Sequence, residues 1–445
     1  MSSVSEAICY FRRRVDLQMV VGNKHKVRVG LLQPGVFIQL DEKWFNHPFL
    51  FNKFKLKNWG QIEILEKSGV KEVLWIPEKS DCWPREADLS KEPEPQMVMA
   101  KEDDPYLELM WRIKKEQMEH LKQIHENIRL CTRNYDRISK NVPELMKKMM
   151  TGSKEAIASA KETVGGMVET FLGDSDAIVH LINIKENEES IYHHSLNVSV
   201  LAIMLGKKAK LTASEMHLLG MAALFHDIGK SRIEKKVLKK RGPLNKAESA
   251  IIHLHPQYGV DILTKSGVRD FEVLHAVKEH HEQCNGMGYP SGLKRENISK
   301  LARIIAIVDS YDNLCNNQDI EKRMTPYEVL SYMYTKQQHL VDLDLFSVFI
   351  RSMGIYPPGT VLQLSNGEIG IVITINPNNP LKPSLLLYDP NIPREEALIC
   401  EMEENEDIAI EKSIHISELP DKVRLYLSAT TQVTYFMGKG AGGGN

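Results

Sequence analysis

The sequence predicts a mainly α protein: a helical bundle with a small strand-rich domain on its N-terminal side and a small β appendage on its C-terminal side. Three patterns predict it. Residues 20–78 alternate short branched or aromatic runs with turn signals, as in KVRVGLLQPGVFIQL and IEILEKSGVKEVLWI. From about 105 to 340 apolar residues recur at helical spacing. After Tyr356-Pro357-Pro358-Gly359 the period returns to two, and TVLQLSNGEIGIVITI sets an Asn366-Gly367 turn between two apolar runs.

Taken in order, residues 1–80 form a small α+β domain with one short helix, and the charged, proline-bearing stretch 81–104 reads as a linker. Residues 105–175 are connecting helices, with interruptions expected at Pro143 and Gly152. Their exposed face is as compatible with a homodimer as with packing inside the chain. Residues 176–345 read as an all-helical core domain whose helix starts are marked. Asn245 with Glu248 makes a capping box, and Thr325, Pro326 and Glu328 supply a cap, a preset first-turn residue and a second box. A β-rich appendage occupies 346–435, and the glycine-rich end, 436–445, is expected to be disordered.

Composition narrows the function. A chain of 445 residues with 42% hydrophobic content can bury more than one core. Its 57 Lys and Arg balance 59 Asp and Glu without a long basic block, which argues against DNA or RNA as partner. Six scattered cysteines without a C-x-x-C pair fit reduced thiols in a cytoplasm. No window resembles a secretory signal or a membrane span.

Nine of the 16 histidines fall between residues 190 and 285. His226 and Asp227 end the apolar run in LFHDIGK; an imidazole nitrogen beside a carboxylate that can bridge two cations suits a site with one or two metals. His194 lies in IYHHSLNVSVLAIML, His255 opens HPQYG, and His280 and His281 end EVLHAVKEHHE. Asp309 follows the apolar stretch LARIIAIV, where a carboxylate facing a dry core is costly without a compensating cation. Seven residues are therefore candidate metal ligands: His194, His226, Asp227, His255, His280, His281 and Asp309. His193 points about 100° around the helix from His194, toward substrate or solvent. His253 and His255 do not share a helical face, so one of them at most is a comfortable ligand.

The blocks YHHSLNVSVLA, LGMAALFHDIGKSRI, LNKAESAIIHLHPQYGVDIL, VKEHHEQCNGMGYPSGL and LARIIAIVDSYDNL run in order across residues 192–314. They resemble the HD-GYP subfamily of the HD phosphohydrolase superfamily, helical metalloenzymes that typically hydrolyse cyclic di-GMP. The segment VRVGLLQPGVFIQLDEKWFNHPFLFNKF is similar to the small domain that precedes some HD-GYP domains. The resemblance implies an HD-type bundle and two divalent metals, iron or manganese. One would be held by His194, His226, Asp227 and Asp309, the other by Asp227, His255, His280 and His281. It also implies a catalytic role for Asp227 and for Lys230, which can reach a phosphate oxygen or the leaving group, although a lysine at a helix end is also a common solvent-facing feature. His193, Tyr289 and Arg303 join Lys230 as expected substrate contacts. The Gly288-Tyr289-Pro290 loop is the expected surface for a GGDEF-domain partner.

Two positions depart from the family. Where some members place a third-metal glutamate, four residues before His194, this chain has Ser190, with Glu188 and Glu189 out of register, so two metals are expected. Where many members carry a basic R-P-Y-R segment, it has Gln318-Asp319-Ile320-Glu321, which removes phosphate neutralisation and adds repulsion. Compensation from Lys236, Lys239 or Arg303 is one expectation. The resulting reading is a cyclic di-GMP phosphodiesterase yielding pGpG or GMP. The alternatives are a hydrolase of another cyclic dinucleotide such as cyclic GMP-AMP, and a catalytically weak nucleotide-binding regulatory module.

Overall fold

The structure is a computed structural model. It describes residues 25–41, 47–49, 51–85, 105–153, 155–172, 177–180, 190–238, 240, 242–317, 319, 322–376, 379–390, 392–394, 397–403, 405, 408–415, 418–427 and 435–438. The chain divides into two compact units, residues 1–120 and 121–445.

In the first unit, strands β1 (His25–Arg28), β2 (Phe37–Gln39), β3 (Lys53–Lys55) and β4 (Glu72–Trp75) form an antiparallel sheet in the order β1-β4-β2-β3. Helix α1 (Trp59–Lys67) starts where the Asn58 side chain accepts the Gln61 amide, 3.0 Å. It buries Ile62, Ile64 and Leu65 in a core with Val29, Leu32, Ile38, Leu56 and Val73. Residues 81–85, expected in a linker, are pinned to this domain instead. The Cys82 thiol donates to the Pro34 carbonyl, Lys55 pairs with Asp81, and the Arg85 amide donates to the Leu31 carbonyl.

Helix α2 (Pro105–Met150) runs through Pro143, where an interruption was expected. Val142, Leu145, Met146 and Met149 around the proline are all buried in the helical core. At about 1.5–3 kcal/mol each, their burial outweighs the roughly 3 kcal/mol cost of an interior proline. The helix stops before Gly152, whose φ of 78° no other residue type adopts cheaply.

The second unit adds α3 (Glu155–Leu172), β5 (Ala177–His180), α4 (Ser190–Lys208), α5 (Ala213–Phe225), α6 (Lys235–Leu238), α7 (Lys246–Ile252), α8 (His255–Ser266), α9 (Phe271–Glu279), α10 (Lys300–Cys315), α11 (Pro326–Tyr332) and α12 (Leu343–Met353). Both expected capping boxes are present, at Asn245 with Glu248 and at Thr325 with Glu328, and a third at Thr212 with Glu215 starts α5. Residues of α2 to α5 and α8 to α12 share one hydrophobic core. At its centre α4 and α5 lie side by side with no methyl to spare, since a Cβ on Gly220 would sit 2.6 Å from Val164 and 3.1 Å from Ile203.

The C-terminal part is a five-stranded antiparallel sheet, order β10-β6-β7-β8-β9, from β6 (Val361–Leu364), β7 (Ile369–Thr374), β8 (Ser384–Leu387), β9 (Ile399–Glu401) and β10 (Ile410–Ser413). Gly367, at φ 84°, closes the expected β6–β7 turn. Helix α13 (Asp421–Leu427) packs Val423 and Leu427 against this sheet's core. A last strand, β11 (Tyr435–Gly438), pairs with β5, Tyr435 opposite His180. This corrects two expectations. The span 176–345 is not wholly helical, and residues 436–438 are a strand because their backbone pairs antiparallel with residues 177–179. No helix among the described residues is long and apolar enough to cross a membrane.

Gly220→Ala is expected to lower the unfolding free energy by about 1–3 kcal/mol, because a methyl there forces α3 or α4 aside. Urea denaturation of wild type and variant measures it, and unchanged stability would contradict this packing.

Candidate metal centre

The helical core delivers all seven expected ligands to one place, and most arrive at helix ends. Helix α5 is apolar throughout its second half and buries Leu219 to Phe225. His226 is its C-cap and Asp227 opens the following turn. His255 is the first residue of α8, and His280 and His281 follow α9. His194 and Asp309 project from within α4 and α10.

The local logic is a hydrogen bond. A helix ends with carbonyls that lack an intrahelical partner. His226 places Nδ1 2.7 Å from the Ala223 carbonyl, His255 2.7 Å from that of Ile252, and His280 2.7 Å from that of Val277. Each such carbonyl can only accept, so each Nδ1 carries a proton and each Nε2 faces inward, a metal donor whenever it is unprotonated. His194 makes the same arrangement with a side chain, Nδ1 to Asp312 Oδ2 at 2.7 Å.

The inward atoms form two groups. One is His194, His226 and Asp309; the other is Asp227, His255, His280 and His281; within each group the ligand atoms lie within 4.8 Å of one another. Asp227 joins them. Its Oδ2 is 3.4 Å from His226 Nε2 and 3.7 Å from His194 Nε2, while its Oδ1 is 3.3 Å from His255 Nε2 and 3.8 Å from His280 Nε2. Asp309 Oδ1 is 3.0 Å from His194 Nε2 and is held by the Asn313 amide at 2.8 Å.

Glycine sets the spacing between the groups. A Cβ on Gly229 would stand 2.0 Å from the His255 carbonyl oxygen and 2.5 Å from the Gly259 nitrogen, so the turn after Asp227 lies directly against the start of α8. Gly288 plays the same part for the Gly288-Tyr289-Pro290 loop, since its Cβ would meet the Gln283 nitrogen at 2.3 Å. Buried Glu282 accepts the Ser291 and Leu293 amides, 2.6 and 2.8 Å, and folds that loop back. The Tyr289 ring consequently stacks on His253 at 3.8 Å and lies 4.8 Å from His281.

Protonation shows what the charges lack. Burial opposes a charged His194, but its bonds to Asp309 and Asp312 outweigh burial and push the imidazole up to about 10. Burial likewise opposes a charged His226, and Asp227 and Asp309 overcome it, raising the group to about 9. Burial disfavours the Asp227 and Asp309 carboxylates, yet Lys230 and His226 beside the first, and His194 and His226 beside the second, hold both well below the usual range. His280 goes the other way, lowered to about 4 by burial, and His281 falls too through burial and His280.

The expected substrate contacts separate. Lys230 borders the centre, its ammonium paired with Asp227 Oδ2, and Tyr289 covers the His281 side. His193 is buried, with Nδ1 3.0 Å from the Tyr135 hydroxyl. Arg303 gives its guanidinium to Asp342, the N-cap of α12, and is engaged there. Lys236 pairs with Glu234 on the surface. Lys239, Gln318, Ile320, Glu321, Glu188 and Glu189 lie outside the described residues. Sequence reading missed Asp312 and Glu282. Asp312 lies three residues after Asp309 on the same helix, a spacing that shares a face.

Known proteins can be set beside this geometry. The chain matches a family model described as HD domain over residues 155–345 and one described as a domain of unknown function (DUF3391) over 24–160. It is 29% identical to the cyclic di-GMP phosphodiesterase PA4108 of Pseudomonas aeruginosa, covering 82% of this chain and 84% of that protein. It is 35% identical to the cyclic di-GMP phosphodiesterase response regulator RpfG of Xanthomonas campestris pv. campestris, over 35% of this chain and 41% of that one. A 3'3'-cGAMP-specific phosphodiesterase 3 of Vibrio cholerae is 29% identical over 37% of this chain and 35% of its own length. Among solved structures, Bd1817, an HDG"Y"P protein from Bdellovibrio bacteriovorus, aligns over 74% of this chain and 98% of its own at 15% identity and a TM-score of 0.42. Residues 155–345 thus match an HD domain.

An HD domain implies divalent metal, and the residues present fit one. Asp227 Oδ1 is buried with no hydrogen-bond partner, and the Nε2 atoms of His255 and His280, whose Nδ1 carries the proton, face it at 3.3 and 3.8 Å. A buried acceptor among acceptors is costly unless a cation joins them. The two groups of mixed nitrogen and oxygen donors therefore suit divalent metal.

Two outcomes are expected. Gly229→Ala pushes α8 off the turn after Asp227 and lowers metal content, read by elemental analysis of the folded variant; full occupancy would contradict the close approach. Metal loading near pH 7 displaces about two protons, from His194 and His226, because both are charged below pH 9 in the metal-free protein and must be neutral to bind. Apparent affinity then rises with pH from 6 to 8, and calorimetry in buffers of different ionisation enthalpy counts the protons released.

Proposed function

We propose that this chain is a metal-dependent phosphodiesterase that hydrolyses cyclic di-GMP, adding water across a P–O3′ bond to give linear pGpG, and GMP if the second bond is cut. The observation that carries the reading is Asp227, whose two oxygens belong to two separate sets of inward-facing imidazoles. The ligands would be His194, His226, Asp227 and Asp309 on one side and Asp227, His255, His280 and His281 on the other. Mixed nitrogen and oxygen donors suit iron or manganese. When bound, a pair of such cations lowers the pKa of a water and offsets charge on the phosphoryl oxygens.

The chain's own groups supply the rest. Asp227 spans the two sets and fixes their separation. Lys230 is kept charged: burial opposes the ammonium, but Asp227 and Asp309 outweigh it. It lies where a phosphate oxygen or departing O3′ would develop negative charge, and its N–H groups can stabilise that charge. Burial and the Asp227 and Asp309 charges push the Tyr289 phenol upward, so it stays protonated and can donate to a phosphate or ribose oxygen beside His281. The loop bearing Tyr289 exposes 81% of Met287 and is the surface we propose for a GGDEF-domain partner. Exposed Leu109, Trp111, Ile113 and Leu130 along α2 favour a homodimer through that helix.

A second reading, cyclic GMP-AMP as substrate, is favoured by Gln318 and Glu321 in place of basic residues and by the similarity to a cGAMP-specific enzyme. Anaerobic assays of metal-loaded protein on both dinucleotides separate the two. Asp227→Asn should abolish turnover, and Lys230→Met should lower kcat by about a hundredfold to a thousandfold with metal content unchanged. Metal-loaded wild type inert on both dinucleotides would favour a binding module.

A further inference from the structure

The two ligand sets differ in charge. His194, His226 and Asp309 share Asp227 Oδ2 and so have a carboxylate of their own besides the common one, whereas His255, His280 and His281 have only Asp227 Oδ1. A second difference stands behind the imidazoles. His226, His255 and His280 direct Nδ1 at neutral backbone carbonyls, but His194 directs Nδ1 at the Asp312 carboxylate.

Asp312 is built for that position. It is 1% exposed, at the face of α10 that also carries Asp309. Its Oδ2 receives His194, and its Oδ1 receives the Asn197 and Asn316 amides, both at 2.9 Å. Asn197 lies one turn along α4 from His194, so one carboxylate ties the two helices that carry the first set. The amides fix its orientation without neutralising its charge. A carboxylate drawing on Nδ1–H makes Nε2 a stronger donor, and the added negative charge favours a harder, more highly charged cation.

We propose that the two metal positions are unequal, with the His194 side the tight one that fills first, and that Asp312 is the positioning residue that makes it so. The position bounded by His255, His280 and His281, three imidazoles with half of one carboxylate, is the weaker and exchangeable one. This rests on reading both sets as metal sites.

Metal-free protein titrated anaerobically with Co(II), followed by calorimetry and visible absorption, tests it. Wild type should bind two equivalents in two resolved steps with different spectra. Asp312→Asn keeps the shape and removes the charge; it should weaken the first step by about 10- to 100-fold and leave the second in place. His281→Ala should remove the second step and leave the affinity and spectrum of the first unchanged. Two indistinguishable equivalents in wild type, a first-step spectrum altered by His281→Ala, or a first step untouched by Asp312→Asn would each overturn the proposal. If Asp312→Asn fails to fold by circular dichroism, wild type and His281→Ala still decide it. Wild type that takes up no metal at all would instead overturn the reading of both sets as metal sites.

Discussion

Everything at this centre depends on keeping two carboxylates ionised in a place with almost no water. Asp227 and Asp309 are 5% and 4% exposed, and an isolated carboxylate so placed would take a proton instead. Here the imidazoles of His194 and His226 and the ammonium of Lys230 carry the compensating charge in the metal-free chain. Protons on those two imidazoles are stand-ins for cations: the same Nε2 atoms that hold them face the carboxylate oxygens. The arrangement is therefore not a buried ion-pair network that stabilises the fold for its own sake. Replacing the carboxylates together with their cationic partners by apolar residues would often be neutral or better for stability.

The fold meets that demand through helix termini. Chain that leaves a helix can turn a side chain into the interior without breaking the ladder, and it leaves carbonyls that need a donor. His226, His255 and His280 satisfy such carbonyls and gain a fixed tautomer in the same bond. The backbone then has to come close, which is why Gly229 faces the His255 carbonyl and Gly288 faces the Gln283 nitrogen. A site assembled this way holds its ligands in fixed orientations, as catalysis by preorganised groups requires.

The sequence made much of this visible. The helical spacing, the two capping boxes, the Asn366-Gly367 turn and the seven inward residues were all legible, because each has a local signature: a period, a cap, or a polar group at the end of an apolar run. What was not legible depended on partners far along the chain. Nothing near Pro143 says that four neighbouring apolar side chains will be buried and keep the helix whole, and nothing near Tyr435 says that residues 177–180 will offer a ladder. His193 and Arg303 had the right chemistry for substrate, but Tyr135 and Asp342 take them. Asp312 shares a helix face with Asp309, but what it does there is set by its contact with His194, 118 positions away.

Substrate selection has a different physical basis from metal binding in this chain. A cyclic dinucleotide brings two phosphates, and the only ammonium bordering the centre among the described residues is Lys230, already paired with Asp227. The amide and carboxylate at 318 and 321 add no positive charge. Phosphate neutralisation at the reacting bond therefore falls chiefly to the cations, and those cannot distinguish one base from another. Discrimination between guanine and adenine has to come from neutral groups that touch the bases or hold the ribose. The His253 and Tyr289 rings stack on each other on the side of His281. His253 is exposed, and stacking on an aromatic face tolerates either purine. A site that relies on stacking and metal for affinity, with few cations, will separate related cyclic dinucleotides by small factors, since a missing hydrogen bond is penalised strongly only where a buried polar group is left unpaired.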